Sequence, residues 1–296
     1  MAWRVIHISN PAHLSTKDNQ LAIKQESLVS IPIEDIDSLV LDGNGIVMTA
    51  NLLTQLSGLG VTVVICDEKH MPTSVLLPYS QHSRQARASR RQLAMSRPLQ
   101  KQLWQQIIVR KILNQASVLR KYNYAHQALV SLASDVRSGD VSNRESQAAR
   151  LYFAVLLDDA TRRKPIWHNA ALNYGYAMVR SHIARHVAAR GLIASQGIFH
   201  RNELNGFNLV DDIIEPFRPA VDDYVLSHVA PFHTGGSDAG LSLGDRQQLV
   251  DVLNYSVMIK NKKVSVRYAV ECTVESFVQS IENNEGSALA LPSIVS

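Results

Sequence analysis

The sequence has 296 residues, 46% of them hydrophobic, and a formal net charge of +4 at pH 7. This length and hydrophobic content suffice for one large domain or two moderate ones with a sizeable core, and they exclude a chain that is disordered throughout. Only two cysteines are present, Cys66 and Cys272, which excludes both a disulfide framework and a zinc cluster made of cysteines and suits a reducing compartment.

The head of the chain is rich in strand-forming segments. Its first residues, MAWRVIHISNPAH, lack a basic segment followed by an apolar one, so no secretory signal is predicted and a cytoplasmic location is expected. Short β-rich runs alternate with Gly, Asn and Asp, including a turn signal at Asp18 and Asn19, and only MTANLLTQLSGLG has helical spacing. We predict a small β-rich domain over residues 1–78.

One uncharged segment, residues 43–66, is long enough to span a bilayer. Polar residues interrupt its apolar run, three internal glycines break it further, and it ends in the β-branched sequence VTVVI. This pattern is typical of a short helix followed by a buried strand, so no association with a membrane is expected.

From about residue 80 the apolar residues recur three and four apart, which predicts helices. Pro98 falls in the first turn of a long helix, whose apolar face is predicted to hold Trp104, Ile107, Ile108 and Ile112, with Lys101, Arg110 and Lys111 off that face. Residues 79–285 are predicted to form a larger, all-helical C-terminal domain, apart from a short hairpin at VMIKNKKVSV, and residues 286–296 a flexible tail. The predicted fold class is α+β.

Charge is distributed very unevenly along the chain. Residues 1–68 hold three Lys/Arg against eight Asp/Glu, residues 69–134 hold eleven Lys/Arg and no acid, and the remainder holds sixteen against eighteen. A basic block of this kind attracts a polyanion, which binds with release of counterions, although a solvated basic helix face is the alternative. We favour the first interpretation, with nucleic acid as the bound polyanion. The candidate DNA-binding residues are Arg84, Arg87, Arg90 and Arg91.

Three places in the helical part could supply metal ligands. Glu145 follows Ser142 by three residues, and this spacing by itself favours a capping box at a helix start. His200 precedes an Asn-Gly turn, where a half-buried, hydrogen-bonded histidine is the more common role. In GFNLVDDIIEPFRPAVD, a helix beginning near Asn208 puts Asp212 and Glu215 on one face.

The last of these segments favours a functional site. Two like charges on one helix face cost stability unless a cation lies between them. Pro216 has no N–H, so the helix must kink or break next to these carboxylates. The alternative is that acids in a first helical turn, such as Asp211 and Asp212, interact with the helix dipole.

The chain resembles the CRISPR-associated integrase family that acts in spacer acquisition, and most of all its type II branch. Nearly the whole chain takes part in the resemblance, through GVTVVICDEKHMPTSVLLP, NRESQAARLYF, NAALNYGYAMVRSHI and GIFHRNELNGFNLVDDIIEPFRPAVD. The resemblance implies that Glu145, His200 and Glu215 are the catalytic ligands of a divalent ion, Mg²⁺ or Mn²⁺, and that Asp212 is an accessory acid. Many members carry aspartate where this chain has Glu215.

The same resemblance implies a metal-dependent endonuclease and integrase that joins the 3′-hydroxyl ends of captured double-stranded DNA fragments to a CRISPR repeat by transesterification. It also implies homodimerisation through the β-rich domain, a catalytic helical domain and a small ferredoxin-fold adaptation partner. Within LNYGY and PFRP, the residues that could line the site are Asn173, Tyr174 and Arg218. Two alternatives stay open, a non-catalytic DNA-binding scaffold of the same fold and a stand-alone structure-specific endonuclease.

Overall fold

The computed structural model describes residues 3–77, 84–157, 166–230 and 240–295. The chain divides into two compact units, Met1–Ser83 and Arg84–Ser296. The domain boundary predicted between residues 78 and 79 lies outside the described residues. A β-rich head and a helical body are both present, so the predicted α+β fold class is confirmed.

Over residues 3–77, the N-terminal unit consists of two four-stranded sheets and one α-helix. Its elements are β1 (Arg4–Ile8), β2 (Ala12–Lys17), β3 (Gln20–Lys24), β4 (Leu28–Pro32), β5 (Ile36–Leu41), β6 (Ile46–Met48), α1 (Ala50–Gly58), β7 (Thr62–Cys66) and β8 (Pro72–Leu76). The first sheet has the order β1-β5-β7-β8. Strands β1, β5 and β7 are parallel, and β8 pairs with β7 in antiparallel orientation. The second has the order β4-β3-β2-β6, in which only β2 and β6 pair in parallel.

Local sequence signals account for these elements. The β2–β3 hairpin turns at Asp18 and Asn19, whose positive φ angles of 51° and 59° suit a tight two-residue turn. Thr49 accepts a hydrogen bond from the amide of Leu52 and so caps α1. Residues 43–66 thus contain β6, α1 and β7, and within the described parts of the chain no helix is long and apolar enough to cross a membrane.

The C-terminal unit is mainly helical. Its helices are α2 (Gln85–Leu93), α3 (Arg97–Lys121), α4 (Gln127–Ser134), α5 (Arg144–Leu156), α6 (Trp167–Ala189), α7 (Asn208–Ile214), α8 (Arg218–Tyr224), α9 (Leu243–Leu249) and α10 (Val266–Asn283). Short 3₁₀ turns at Ser138–Asp140, Glu215–Phe217, Val250–Asn254 and Gly286–Ala288 and a π-helical turn at Val225–Val229 connect or extend them. Gly191 follows the end of α6 at a positive φ of 71°, and Ser242 caps α9.

Helix α3 forms the centre of this unit, because it contacts α4, α5, α7 and α8. Pro98 occupies its first turn, as the sequence predicts, and Ser96 caps its start. Its neighbours cover most of its circumference. Lys111 was predicted to lie off the apolar face and this is wrong, since only 7% of the residue is exposed.

A small antiparallel sheet completes the unit, in the order β10-β9-β11. The predicted hairpin is formed by β9 (Ser256–Ile259) and β10 (Lys262–Ser265), while β11 (Ser293–Ile294) adds a third strand. Residues 286–296 were predicted to be a flexible tail. Up to residue 295 the structure corrects this prediction, because a 3₁₀ turn and β11 hold the segment against α10, β9 and α3.

One buried amide joins three parts of the C-terminal unit. The Asn114 side chain on α3 donates hydrogen bonds to the carbonyl oxygens of Pro216 (2.8 Å) and Pro292 (3.0 Å). Pro216 lies where the helix breaks and Pro292 immediately precedes β11, so Asn114 satisfies a carbonyl in each segment.

Replacing Asn114 by leucine, which keeps the volume of the side chain, removes both donors. We expect the free energy of unfolding to fall by about 1–3 kcal/mol for each buried carbonyl left without a partner. Urea denaturation followed by circular dichroism measures this change. The exposed Asn283→Leu at the end of α10 is the matched control, and equal stability of the two variants would contradict the structural role of Asn114.

Candidate metal centre

The carboxylates of Glu145 and Glu215 meet at one buried ammonium group. Lys111 Nζ lies 2.5 Å from Glu145 Oε1 and 2.5 Å from Glu215 Oε2. The two carboxylate oxygens are therefore no more than about 5 Å apart, although 70 residues separate them in sequence. A cation between two adjacent carboxylates, one buried and one half-buried, removes the repulsion that would otherwise drive one of them to protonate.

Glu145 is placed by the start of α5. The carboxylate of Asp140, which is almost fully buried, accepts hydrogen bonds from the amides of Arg144 (2.8 Å) and Glu145 (3.1 Å). Asp140 thus caps the helix, and the Glu145 side chain contacts Lys111 instead of returning to Ser142. The capping box that the spacing of Ser142 and Glu145 favoured is therefore wrong, because a longer-range acid supplies the cap.

Glu215 occupies the break between α7 and α8. The predicted helix does start at Asn208, but the Asn208 side chain bonds the 195–205 loop instead of capping the helix. The helix ends at Ile214, and the turn Glu215–Phe217 is 3₁₀, which confirms the predicted break at Pro216. The break leads directly into a second helix that begins at Arg218.

Arg218 is the second cation on Glu215, as its position in PFRP suggested. Its Nε donates to Glu215 Oε1 at 2.9 Å, and its guanidinium stacks over the Tyr176 ring at 4.8 Å. Burial by itself raises the pKa of the Glu215 carboxyl, but the charges of Arg218 and Lys111 outweigh burial and lower that pKa to about 2. Glu215 is therefore ionised at neutral pH.

One oxygen of this site is paired with the ammonium alone. Glu215 Oε2 is buried and lies 2.5 Å from Lys111 Nζ, and no other described residue donates a hydrogen bond to it. A buried carboxylate oxygen with an unused lone pair is the type of donor that binds Mg²⁺ or Mn²⁺. The donor set therefore fits a divalent ion.

The described residues are not yet spaced as a metal-binding set. Among them no group of three or more His, Cys, Asp or Glu side chains is arranged to hold an ion. The ammonium of Lys111 lies between the two carboxylates, so an ion binding there must displace it.

His200 is held by Asp212. Its Nδ1 lies 2.6 Å from Asp212 Oδ1, which leaves Nε2 as the nitrogen that could ligate a metal. The hydrogen bond to Asp212 raises the pKa of the imidazole above its usual 6.5, burial opposes this, and the charges of Asp212, Glu215 and Glu145 add to the increase.

Asp212 is fully engaged in shaping this loop. Its carboxylate also accepts the backbone amides of Ile198 (2.5 Å), Phe199 (2.9 Å) and His200 (3.2 Å), and the residue is completely buried. A side chain on Gly197 would collide with the carbonyl of His200 and with Asp212, so glycine is needed for the loop to wrap around the carboxylate. These contacts agree with an accessory role for Asp212.

Asp222 connects the helices that carry the acids. It is buried, and it accepts hydrogen bonds from the hydroxyls of Tyr152 on α5 (2.9 Å) and Tyr176 on α6. Helix α6 packs tightly on α8 at Gly175, where a side chain would collide with Val221. The relative positions of Glu145 and Glu215 therefore depend on this shared carboxylate.

The predicted site-lining residues differ in exposure. Arg218 contacts Glu215, whereas Tyr174 is fully buried in α6 and has no face on which a base could stack. Asn173 is exposed on the surface of α6.

The candidate DNA-binding arginines lie at or in α2. Arg84, Arg87 and Arg90 are exposed. Arg91 instead forms a 2.5 Å ion pair with Glu282 of α10, which makes it the least available of the four to a phosphate.

Sequence reasoning missed three residues that position the site: Lys111, Asp140 and Asp222. For Lys111 a signal existed, because it follows Ile107 by four residues and Ile108 by three, and so falls within the apolar stripe of α3. A lysine in such a stripe needs buried carboxylates as partners. Asp222 has no comparable local signal, because its partners Tyr152 and Tyr176 lie in other helices. The partners of Asp140 are only four and five residues away, but the Ser142–Glu145 spacing indicated a different cap.

The fold and this cluster define a class of two-unit proteins whose helical unit brings acidic side chains from separate segments to one buried cation. The sequence profile of the family described as "CRISPR associated protein Cas1" matches residues 6–231. The "CRISPR-associated endonuclease Cas1" of Neisseria meningitidis serogroup C (strain 8013) is 40% identical over 299 residues, which span 100% of this chain and 97% of that protein. The chain therefore belongs to the Cas1 family, and the resemblance found in the sequence is confirmed.

Two solved structures share the fold. A chain described as "Casposase bound to integration product" has a TM-score of 0.75 and 17% identity, with 96% of this chain and 92% of that chain covered. A chain of a "Cas6-RT-Cas1--Cas2 complex" has a TM-score of 0.73 and 19% identity, with 99% of this chain and 36% of that chain covered. Identities this low show similarity of fold alone.

Replacing Lys111 by methionine leaves Glu145 and Glu215 without their shared cation. We expect the free energy of unfolding to fall by about 3–5 kcal/mol in the presence of a chelator, because an uncompensated buried charge is left behind. Added Mn²⁺ should restore more stability in Lys111→Met than in the unsubstituted protein, since the ion no longer competes with the ammonium. Thermal denaturation with chelator and with Mn²⁺ measures both effects.

The matched control is Lys101→Met, on the exposed surface of the same helix. This variant should behave like the unsubstituted protein in both conditions. If Lys111→Met is as stable as Lys101→Met without metal, Lys111 does not compensate the two carboxylates.

Proposed function

We propose that this chain is a metal-dependent DNA integrase and endonuclease that joins the 3′-hydroxyl ends of captured DNA fragments to a CRISPR repeat by transesterification. The observation that carries the proposal is the convergence of Glu145 and Glu215 on one buried cation beside His200, in a member of the Cas1 family. The names of its relatives support both activities, since one is an endonuclease and another is a casposase described with an integration product.

The ligands of the proposed Mg²⁺ or Mn²⁺ are Glu145, His200 and Glu215. Such an ion supplies polarisation of the scissile phosphate and a lower pKa of the attacking hydroxyl or water. Asp212 fixes the His200 ring so that Nε2 is available, and Arg218 keeps Glu215 ionised. Since one phosphodiester replaces another in strand joining, no nucleotide cofactor is required.

Exposed arginines at and in α2 provide a surface for the DNA backbone. The proposed contacts are between DNA phosphates and the exposed residues Arg84, Arg87 and Arg90. Contacts to phosphates position DNA without selecting its sequence. Holding the two reacting groups in line is the main contribution that a protein makes to this type of reaction.

The proposed assembly contains a homodimer and a small ferredoxin-fold partner. Support for the dimer comes from the N-terminal unit, where the edge strand β4 exposes Leu28 and Val29 and so presents unpaired backbone and apolar surface. Support for the second partner is the Cas2 component named in the complex that shares the fold.

Loss of a proposed ligand should abolish strand joining. Mutation of a residue that supports a metal ligand typically reduces activity about 10- to 100-fold. We expect Glu145→Gln, His200→Ala and Glu215→Gln each to reduce the rate of strand joining by more than this. The assay incubates the protein and its small partner with a short duplex carrying 3′-hydroxyls and a supercoiled repeat-containing plasmid, with Mn²⁺ or with chelator. Joined products are resolved on a denaturing gel.

Glu34→Gln, at an exposed position of the N-terminal unit, is the control and should retain full activity. An unsubstituted protein that binds the DNA but never joins it in Mn²⁺ would favour a non-catalytic scaffold. Cleavage without any stimulation of joining by the small partner would favour a stand-alone endonuclease.

Neutralising Arg84 and Arg87 together should weaken DNA binding at low salt. Each phosphate contact contributes about 0.9 to the slope of log K against log salt concentration, so the double Arg→Gln variant should lose up to about 1.8 in slope. Fluorescence anisotropy of a labelled duplex from 50 to 250 mM KCl measures this slope. The double variant Lys17→Gln/Lys24→Gln, exposed in the N-terminal unit, should keep it, and an unchanged slope in the arginine variant would count against this surface.

A further inference from the structure

An exposed aromatic ring lies immediately beside the candidate metal ligand His200. The Phe199 ring stacks on the Trp104 ring with a centroid distance of 4.3 Å and an angle of 2° between the planes. Trp104 is 1% exposed, whereas Phe199 is 49% exposed. A large apolar ring that is firmly seated on one side and exposed to solvent is suited to stack on a flat ligand.

This ring is held as rigidly as the histidine. The amides of Phe199 and His200 both donate to Asp212, and the His200 ring packs edge-on against both aromatic rings at 5.7 Å. A ligand stacked on Phe199 would therefore occupy a fixed position relative to His200. Pre-organisation of this type reduces the entropic cost of binding.

The surface around the ring is cationic. Phe199 and Trp104 line a cavity of about 330 Å³, a volume within the range of small-ligand sites. Its described lining includes no acidic residue. It does include the exposed cations Arg97, Lys101 and Arg201.

A second cavity, of about 510 Å³, adjoins the first. It contains His200 and one acid, Glu203, and it shares three lining residues with the first cavity: Arg97, Gln100 and Arg201. Arg201 is held near this junction by a 3.2 Å hydrogen bond to Gln100. A polyanion bound along these cations would thus pass from the ring to the histidine.

We propose that Phe199, supported by Trp104, is a stacking platform for a nucleobase at the DNA end being joined, with Arg97, Lys101 and Arg201 binding the adjoining phosphates. This inference rests on the proposed function and specifies how the substrate is held. A flat π face next to several cations matches a nucleotide, and stacking accepts any base because every base has a π face. The platform binds the nucleotide next to the reacting phosphodiester.

The test uses duplexes with short 3′ overhangs that carry 5-iodouracil at one position at a time, bound to the full-length protein in chelator. Irradiation should crosslink the peptide containing Phe199 at a single position, one or two nucleotides from the 3′ end. Mass spectrometry identifies the crosslinked peptide. Crosslinks absent from this peptide at every position would overturn the proposal.

Substitutions give a second, quantitative measure. Phe199→Leu keeps apolar bulk but lacks the flat face, and it should bind the overhang about 5- to 150-fold more weakly, the loss expected for one stacked base. Phe199→Trp should bind at least as well as the original residue. Leu204→Ala, a 96% exposed position in the same loop, is the control.

The salt dependence separates stacking from a change in folding or charge. Phe199→Leu should weaken binding while leaving the salt slope unchanged, whereas Arg201→Gln should flatten the slope by about 0.9. If Phe199→Leu binds the overhang duplex as tightly as the unsubstituted protein, the proposal that Phe199 is a stacking platform is wrong. Because these measurements require no turnover, a protein that crosslinks at Phe199 but never joins strands would contradict the proposed function and not the platform.

Discussion

The functional part of this molecule depends on one electrostatic constraint, that two adjacent carboxylates shielded from solvent need a positive charge between them. Lys111 meets this need for Glu145 and Glu215, and Arg218 supplies a second charge to Glu215. Without Lys111 and without a divalent ion, the same need would have to be met by protonation or by separation of the acids. The site thus holds its two acids adjacent, which is the arrangement that a metal requires.

The fold maintains this arrangement with contacts between distant segments. Asp140 fixes the start of α5, Asp222 connects α5 and α6 to α8, and Asn114 joins α3 to the helix break and to the segment before β11. All three residues are buried and bind backbone or hydroxyl groups, so each has a single favoured geometry. The short 3₁₀ turn at Glu215–Phe217 also contributes, because it ends the helix that carries Asp212. Asp212 binds His200, whereas Glu215 binds Lys111.

Asp212 connects the metal centre to its surroundings. By accepting three consecutive amides and the His200 imidazole, it fixes the orientation of the histidine and of the exposed ring next to it. Arg97 and Arg201 line both neighbouring cavities, and Lys101 lines the first. Chemistry and substrate placement would be coupled through one buried carboxylate.

Much of the fold was already determined by the sequence. The Asp18–Asn19 turn, the Ser96 and Ser242 caps, the glycine end of α6 and the break at Pro216 follow from local backbone chemistry, which acts over a few residues, and the family motifs named Glu145, His200 and Glu215. Only the tertiary structure decided that Lys111 is buried between two acids and that Asp140 caps α5 in place of a capping box. The same holds for the pairing of Arg91 with Glu282 and for the burial of Tyr174. It also holds for the ordered C-terminal segment up to residue 295. In most of these cases the partner is tens to hundreds of residues away, so no local pattern of spacing or propensity records it.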